Sequence, residues 1–124
     1  MTTKIILLID DEYRLREVTK MTLEMMAEWT VLTAASGSEG LELARSHQPD
    51  AILLDVMMPD LDGTETLAIL QADETTQSIP VLLLTAKART TESTALTGGA
   101  KGVISKPFDP LELATLISET LGWS

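Results

Sequence analysis

The chain has 124 residues, enough for one domain around one core. It contains no cysteine, which excludes disulfides, thiolate metal sites and a cysteine nucleophile. Nineteen acidic residues against nine basic ones leave a formal net charge of −10, which argues against direct nucleic-acid binding, since phosphate contacts need clustered Lys and Arg.

Aromatic residues make up 3% of the chain, so its core must be aliphatic. No apolar run approaches the ~20 residues of a membrane span, and Met1 to Ile5 lacks the layout of a signal peptide. A cytoplasmic protein without membrane insertion is the expectation.

Lys4 to Ile9 is an apolar run ending in Asp10-Asp11. A helical pattern follows, with Leu15, Val18, Thr22 and Met25 at helical spacing. Trp29 to Ala34 mixes Val31 and Leu32 with Thr30 and Thr33, closer to an edge strand. Ser36-Gly37-Ser38-Glu39 reads as a capping box opening a helix through Leu41 and Ala44. Ile52 to Leu54 is a second apolar run, ending in Asp55. A helix is expected from about Gly63 to Asp73, with Leu67 and Leu70 inward. Val81 to Leu84 leads to Thr85, and the Thr-rich segment Thr90 to Gly98 is the next helical candidate. Gly102 to Ile104 leads to Ser105-Lys106-Pro107. The last helix carries Leu113, Leu116, Ile117 and Leu121, with Asp109 as N-cap, Pro110 at its first position and Glu112 in its first turn.

Strand and helix alternate five times, and short apolar runs bounded by polar residues fit strands buried on both faces. The expectation is a single α/β domain over residues 1–124, a three-layer doubly wound (βα)5 fold with a parallel sheet of order 2-1-3-4-5. Open parallel sheets bind ligands beyond the carboxyl ends of their strands, where the order reverses. Asp10, Asp11, Asp55, Thr85 and Lys106 all follow strands, so this order gathers them at one edge. Three carboxylates that close repel one another, and a divalent cation relieves the repulsion. All-oxygen ligation points to Mg2+, with Mn2+ as a substitute, rather than zinc. A carboxylate screened in this way can attack phosphorus, with Lys106 and the Thr85 hydroxyl placed for phosphoryl oxygens.

The motifs Ile9-Asp10-Asp11-Glu12, Leu54-Asp55-Val56-Met57-Met58-Pro59 with Asp62-Gly63, Ile79-Pro80-Val81 leading to Thr85-Ala86, Gly99-Ala100-Lys101-Gly102 and Lys106-Pro107-Phe108 occur in one order and spacing. In these the chain resembles the response-regulator receiver family, CheY-like and of flavodoxin-like fold, over essentially its whole length. The resemblance implies that Asp55 is the phosphoacceptor. It implies that Asp10, Asp11, Asp55 and the Met57 carbonyl hold Mg2+, that Thr85 and Lys106 contact the phosphoryl group, and that the Lys106–Pro107 bond is cis. The implied donor is a phosphohistidine on a sensor histidine kinase or a histidine phosphotransfer protein, with output through another protein.

Val103 departs from the pattern, because many receivers carry an aromatic switch residue there. Met57 and Lys87 occupy the variable positions that flank the site in the family. Simpler readings exist for single residues. Asp10-Asp11 fits a helix cap, Thr85 a strand-end filler, and Lys106 a solvated charge. His47 is expected at the surface. Met21, Met25, Met26, Met57 and Met58 are expected in core or site-rim packing, and Trp123 either closes the last helix or meets a partner. The competing functions are a phosphorylation-independent scaffold and a Mg2+-dependent phosphatase with an aspartyl-phosphate intermediate. Such phosphatases usually place a second Asp two residues after the nucleophile, whereas Asp10 and Asp11 are adjacent.

Overall fold

The computed structural model describes residues 3–56, 63–85 and 99–123. Strands β1 (Ile5–Ile9), β2 (Thr30–Ala34), β3 (Ala51–Asp55), β4 (Val81–Thr85) and β5 (Gly102–Ser105) form one parallel sheet. Its order is β2-β1-β3-β4-β5, as the sequence predicts. Helices α1 (Tyr13–Met26), α2 (Gly37–His47), α3 (Gly63–Ala72) and α4 (Pro110–Leu121) are those among the described residues. The helix expected over Thr90 to Gly98 lies outside them.

Alternation along each strand sends apolar side chains to both faces of the sheet. Leu7, Ile9, Ile52, Leu54 and Leu83 meet Leu41 and Ala44 of α2 and Leu67 and Leu70 of α3. Ile6, Leu8, Leu53, Leu82 and Leu84 meet Leu23 of α1 and Leu113 and Ile117 of α4. Full burial of each such side chain contributes about 1.5–3 kcal/mol. The sheet is thus the middle of three layers, and only its ends are open to polar chemistry.

Local signals in the sequence set two of the helices. Ser36 caps α2 by accepting from the Glu39 N–H at 3.2 Å, while Glu39 reaches back to the Ala35 N–H at 2.7 Å. Asp109 caps α4 by accepting from the Leu111 N–H at 2.9 Å, with Pro110 inside the first turn. Glycine at position 40 lets the helix approach closely, because a Cβ there would collide with the buried Ile9 side chain unless it shifted. This close approach seats α2 against the end of β1, directly before Asp10.

Helix α1 corrects the expected phase. Its buried residues are Thr19 and Leu23, whereas Val18 is 51% exposed and Met25 74%. Met21 and Met26 also face solvent, so the three α1 methionines are surface residues rather than core or site-rim packing. The buried stripe carries Thr19, whose hydroxyl finds no hydrogen-bond partner among the described residues. A pattern scored on apolar letters alone passes over it. Met57 and Met58 lie outside the described residues.

On the outer strand, the Val31 carbonyl accepts from Lys20 Nζ at 2.7 Å and the Val31 N–H donates to Glu24 at 3.2 Å. Lys20 and Glu24 also pair with each other at 3.0 Å. The Lys20 hydrogen bond, helped by the Val31 N–H, holds the Glu24 carboxyl below the usual carboxylate range against the opposing effect of burial. At the amino-terminal ends of β1 and β2, Trp123 packs edge-on against Trp29 with ring centroids 5.5 Å apart, and Lys4 lies 4.7 Å from the Trp123 ring. Trp123 therefore closes the last helix against the body. His47 is at the surface, as expected.

Arg45 of α2 donates to Asp73, just past α3, at 2.7 Å. Asp73 also accepts from the Thr75 hydroxyl at 2.7 Å and N–H at 2.9 Å. Arg45 first, and Thr75 with it, lower the Asp73 pKa from 3.8 to about 2. A depressed carboxylate stabilises the fold above its unfolded pKa and loses that contribution as pH falls through its folded value. The melting-temperature gap between wild type and Asp73→Asn is therefore expected to be widest above about pH 5 and to close toward about pH 2. A gap independent of pH would refute this.

Candidate functional site

The strand register builds the site. Ile9 pairs with Leu54, so Asp10 and Asp55, one residue further along each strand, stand side by side. Asp55 pairs with Leu84, which places Thr85 next along that edge, and Thr85 pairs with Ser105, the residue before Lys106. Backbone bonds beyond the strands keep these ends in line. The Asp10 N–H donates to Ala34 O at 3.0 Å, the Val56 N–H to Leu84 O at 3.1 Å, and the Lys106 N–H to Thr85 O at 2.9 Å.

The side chains converge as the sequence predicts. Asp10, Asp11 and Asp55 each offer an oxygen, and these atoms lie within 4.8 Å of one another. Asp10 and Asp55 are buried and Asp11 is exposed. The turn that follows β1 buries Asp10 and leaves Asp11 at the mouth, with an oxygen of each still in the cluster. Lys106 Nζ lies 2.8 Å from Asp10 Oδ2 and 3.5 Å from Asp55 Oδ1. Thr85 is buried at the end of β4. The Lys106–Pro107 peptide bond is cis. Val103 is half-buried on β5. Met57 and Lys87 lie outside the described residues.

Burial pulls the Lys106 pKa down. The hydrogen bond and charge of Asp10, with the charge of Asp55, outweigh it and hold the ammonium above the ordinary lysine value. Lys106 is therefore charged at neutral pH. Three carboxylates against one ammonium still leave surplus negative charge in a partly buried space. A hard divalent cation fits that surplus, and the donors are oxygens, as Mg2+ prefers.

Two contacts were not legible in the sequence. The Glu12 N–H donates to Asp10 Oδ1 at 2.9 Å, so Asp10 also secures the start of α1, where Glu12 supplies no side-chain cap. Asp10 thus ties down the residue at which α1 begins, while the N-cap position itself belongs to Glu12. Arg16 Nη1 donates to the Asp10 carbonyl at 2.8 Å. An Arg six residues after a strand-end Asp follows no sequence rule. Its reach depends on the turn between strand and helix.

Comparison with known proteins agrees with this geometry. The model of the response regulator receiver domain matches residues 6–118. Response regulator Rre1 of Synechocystis is 36% identical over 117 residues, covering 94% of this chain and 51% of the relative. The phosphate regulon transcriptional regulatory protein PhoB of Pseudomonas aeruginosa is 38% identical over 124 residues, covering 98% and 53%. The chain thus spans about half the length of these curated relatives. Among solved structures, chemotaxis protein CheY4 of Vibrio cholerae superposes with a TM-score of 0.88 at 29% identity, covering 96% of this chain and 99% of that one. The receiver domain of sensor histidine kinase PA1611 from Pseudomonas aeruginosa, with a magnesium ion coordinated in its active site cleft, gives 0.85 at 28% identity, covering 98% and 99%.

Proposed function

Because this chain belongs to the response regulator receiver domain family, we propose that it accepts a phosphoryl group on Asp55 from a histidine kinase or histidine phosphotransfer protein, in a Mg2+-dependent reaction. The observation that carries this is the convergence of Asp10, Asp11 and Asp55 with Lys106 bridging two of them. Residues 1–124 act as a single receiver domain in the cytoplasm. It catalyses only its own phosphorylation and dephosphorylation, and it signals through another protein by a phosphorylation-dependent change of surface.

An Asp55 carboxylate oxygen forms the new bond to phosphorus, while the bond from phosphorus to the donor imidazole nitrogen breaks and the imidazole leaves. Asp10, Asp11 and Asp55, with the Met57 carbonyl, would hold the cation. When bound, Mg2+ screens the carboxylates from the incoming anion. Lys106 moves from Asp10 toward the phosphoryl oxygens as charge shifts onto Asp55, supplying a mobile point charge. The Thr85 hydroxyl donates to a second phosphoryl oxygen. Val103 is too small to act as an aromatic switch, so the phosphate is reported by a backbone shift at Thr85 or through a different surface.

Two measurements test the reading. Incubation with acetyl phosphate and Mg2+ is expected to add the mass of one phosphoryl group, and no gain would overturn the assignment. Mg2+ at ten times its dissociation constant is expected to stabilise the fold by about 1.4 kcal/mol, raising the melting temperature of a domain this size by about 5 °C. A melting curve that ignores millimolar Mg2+ would argue against the metal site.

A further inference from the structure

Asp10 is engaged at every polar atom. Its N–H donates to Ala34 O at 3.0 Å, Oδ1 accepts from the Glu12 N–H at 2.9 Å and Oδ2 from Lys106 at 2.8 Å. Its carbonyl accepts from Arg16 Nη1 at 2.8 Å. The Arg16 guanidinium comes from the second turn of α1 and lies 5.5 Å from the Tyr13 ring. That carbonyl lies in the same rigid peptide plane as the nitrogen and Cα of Asp11. Fixing it fixes the direction from which Asp11, the exposed carboxylate of the cluster, enters the site.

We propose that Arg16 is a positioning residue for the acidic site, its hydrogen bond to the Asp10 carbonyl setting the Asp10–Asp11 peptide plane and so aiming Asp11 at the cation. The inference rests on the proposed Mg2+ site. The sign of the effect separates it from a simple role of charge. A guanidinium beside the cluster repels a divalent cation, so deleting it for charge reasons alone strengthens Mg2+ binding. Loss of orientation weakens it, and removing a residue that orients a ligand typically costs about tenfold in metal affinity.

The test is calorimetric titration of Mg2+ into wild type, Arg16→Met and Arg16→Lys, with folding checked by circular dichroism. Arg16→Met is expected to bind about tenfold more weakly, while Arg16→Lys, which keeps a long cationic donor, stays near wild type. Arg14→Met, an exposed neighbour on the same helix, should not weaken binding. Unchanged or tighter binding by Arg16→Met overturns the proposal while leaving the metal site intact. If wild type binds no Mg2+, the site reading and this inference fall together. Should Arg16→Met fail to fold, Arg16→Gln, too short to hold the same bond, replaces it with the same expected weakening.

Discussion

Asp55→Asn, incubated with acetyl phosphate and Mg2+, is expected to gain no phosphoryl group under conditions that fully modify the wild type. The loss should be complete because the amide nitrogen and oxygen are poor nucleophiles and the other carboxylates are committed elsewhere. Asp10 is hydrogen-bonded through both side-chain oxygens, to Lys106 and to the Glu12 N–H. Asp11 is exposed at the mouth of the cluster, off the end of β3 that carries Asp55. The variant should still fold. Asn nearly matches Asp in shape, and Lys106 keeps its closer partner, Asp10, at 2.8 Å. With one carboxylate fewer, the stabilisation by Mg2+ should shrink. A phosphorylated Asp55→Asn would move the acceptor to another residue.

Lys106→Met should separate the two uses of one ammonium. Loss of a preorganised charge aimed at the phosphoryl oxygens typically costs about 10²–10³ in rate, and acetyl phosphate kinetics would read it directly. The same change leaves the fully buried Asp10 carboxylate without its counter-charge. Breaking a buried pair costs about 3–5 kcal/mol, and the lower end applies because a fifth of the lysine side chain reaches solvent (21% exposed). A divalent cation can replace the missing charge, so Mg2+ should raise the melting temperature of Lys106→Met more than that of wild type. A wild-type rate would remove Lys106 from the chemistry, and an unchanged melting temperature would show that the pair adds no stability.

The sequence made the sheet and the cluster legible for one reason. Buried parallel strands are short apolar runs, and whatever polar residue follows each run must sit at the sheet's edge. Asp10, Asp55, Thr85 and Lys106 were therefore placed by the strands alone. Helix α1 was harder, because it has apolar residues on both faces. The face that packs, through Thr19 and Leu23, was decided by the strands beneath it and by α4 beside it. Three methionines consequently face water. The difference between Asp10 and Asp11 was likewise hidden, since adjacent identical letters reveal nothing about which one the strand turns inward. The Arg16 contact required the geometry of a turn that no periodicity encodes.

The pairing of Lys20 and Glu24 with Val31 has a consequence for how the molecule behaves in a crowded solution. An outer strand offers unsatisfied backbone groups to any extended chain that drifts past, and such encounters seed fibrous assembly. Here the Val31 amide and carbonyl are already taken by side chains of the same molecule. An incoming strand would have to displace both ends of an ion pair before bonding to Val31. A helix that packs on the sheet thus also occupies the border of β2 at Val31.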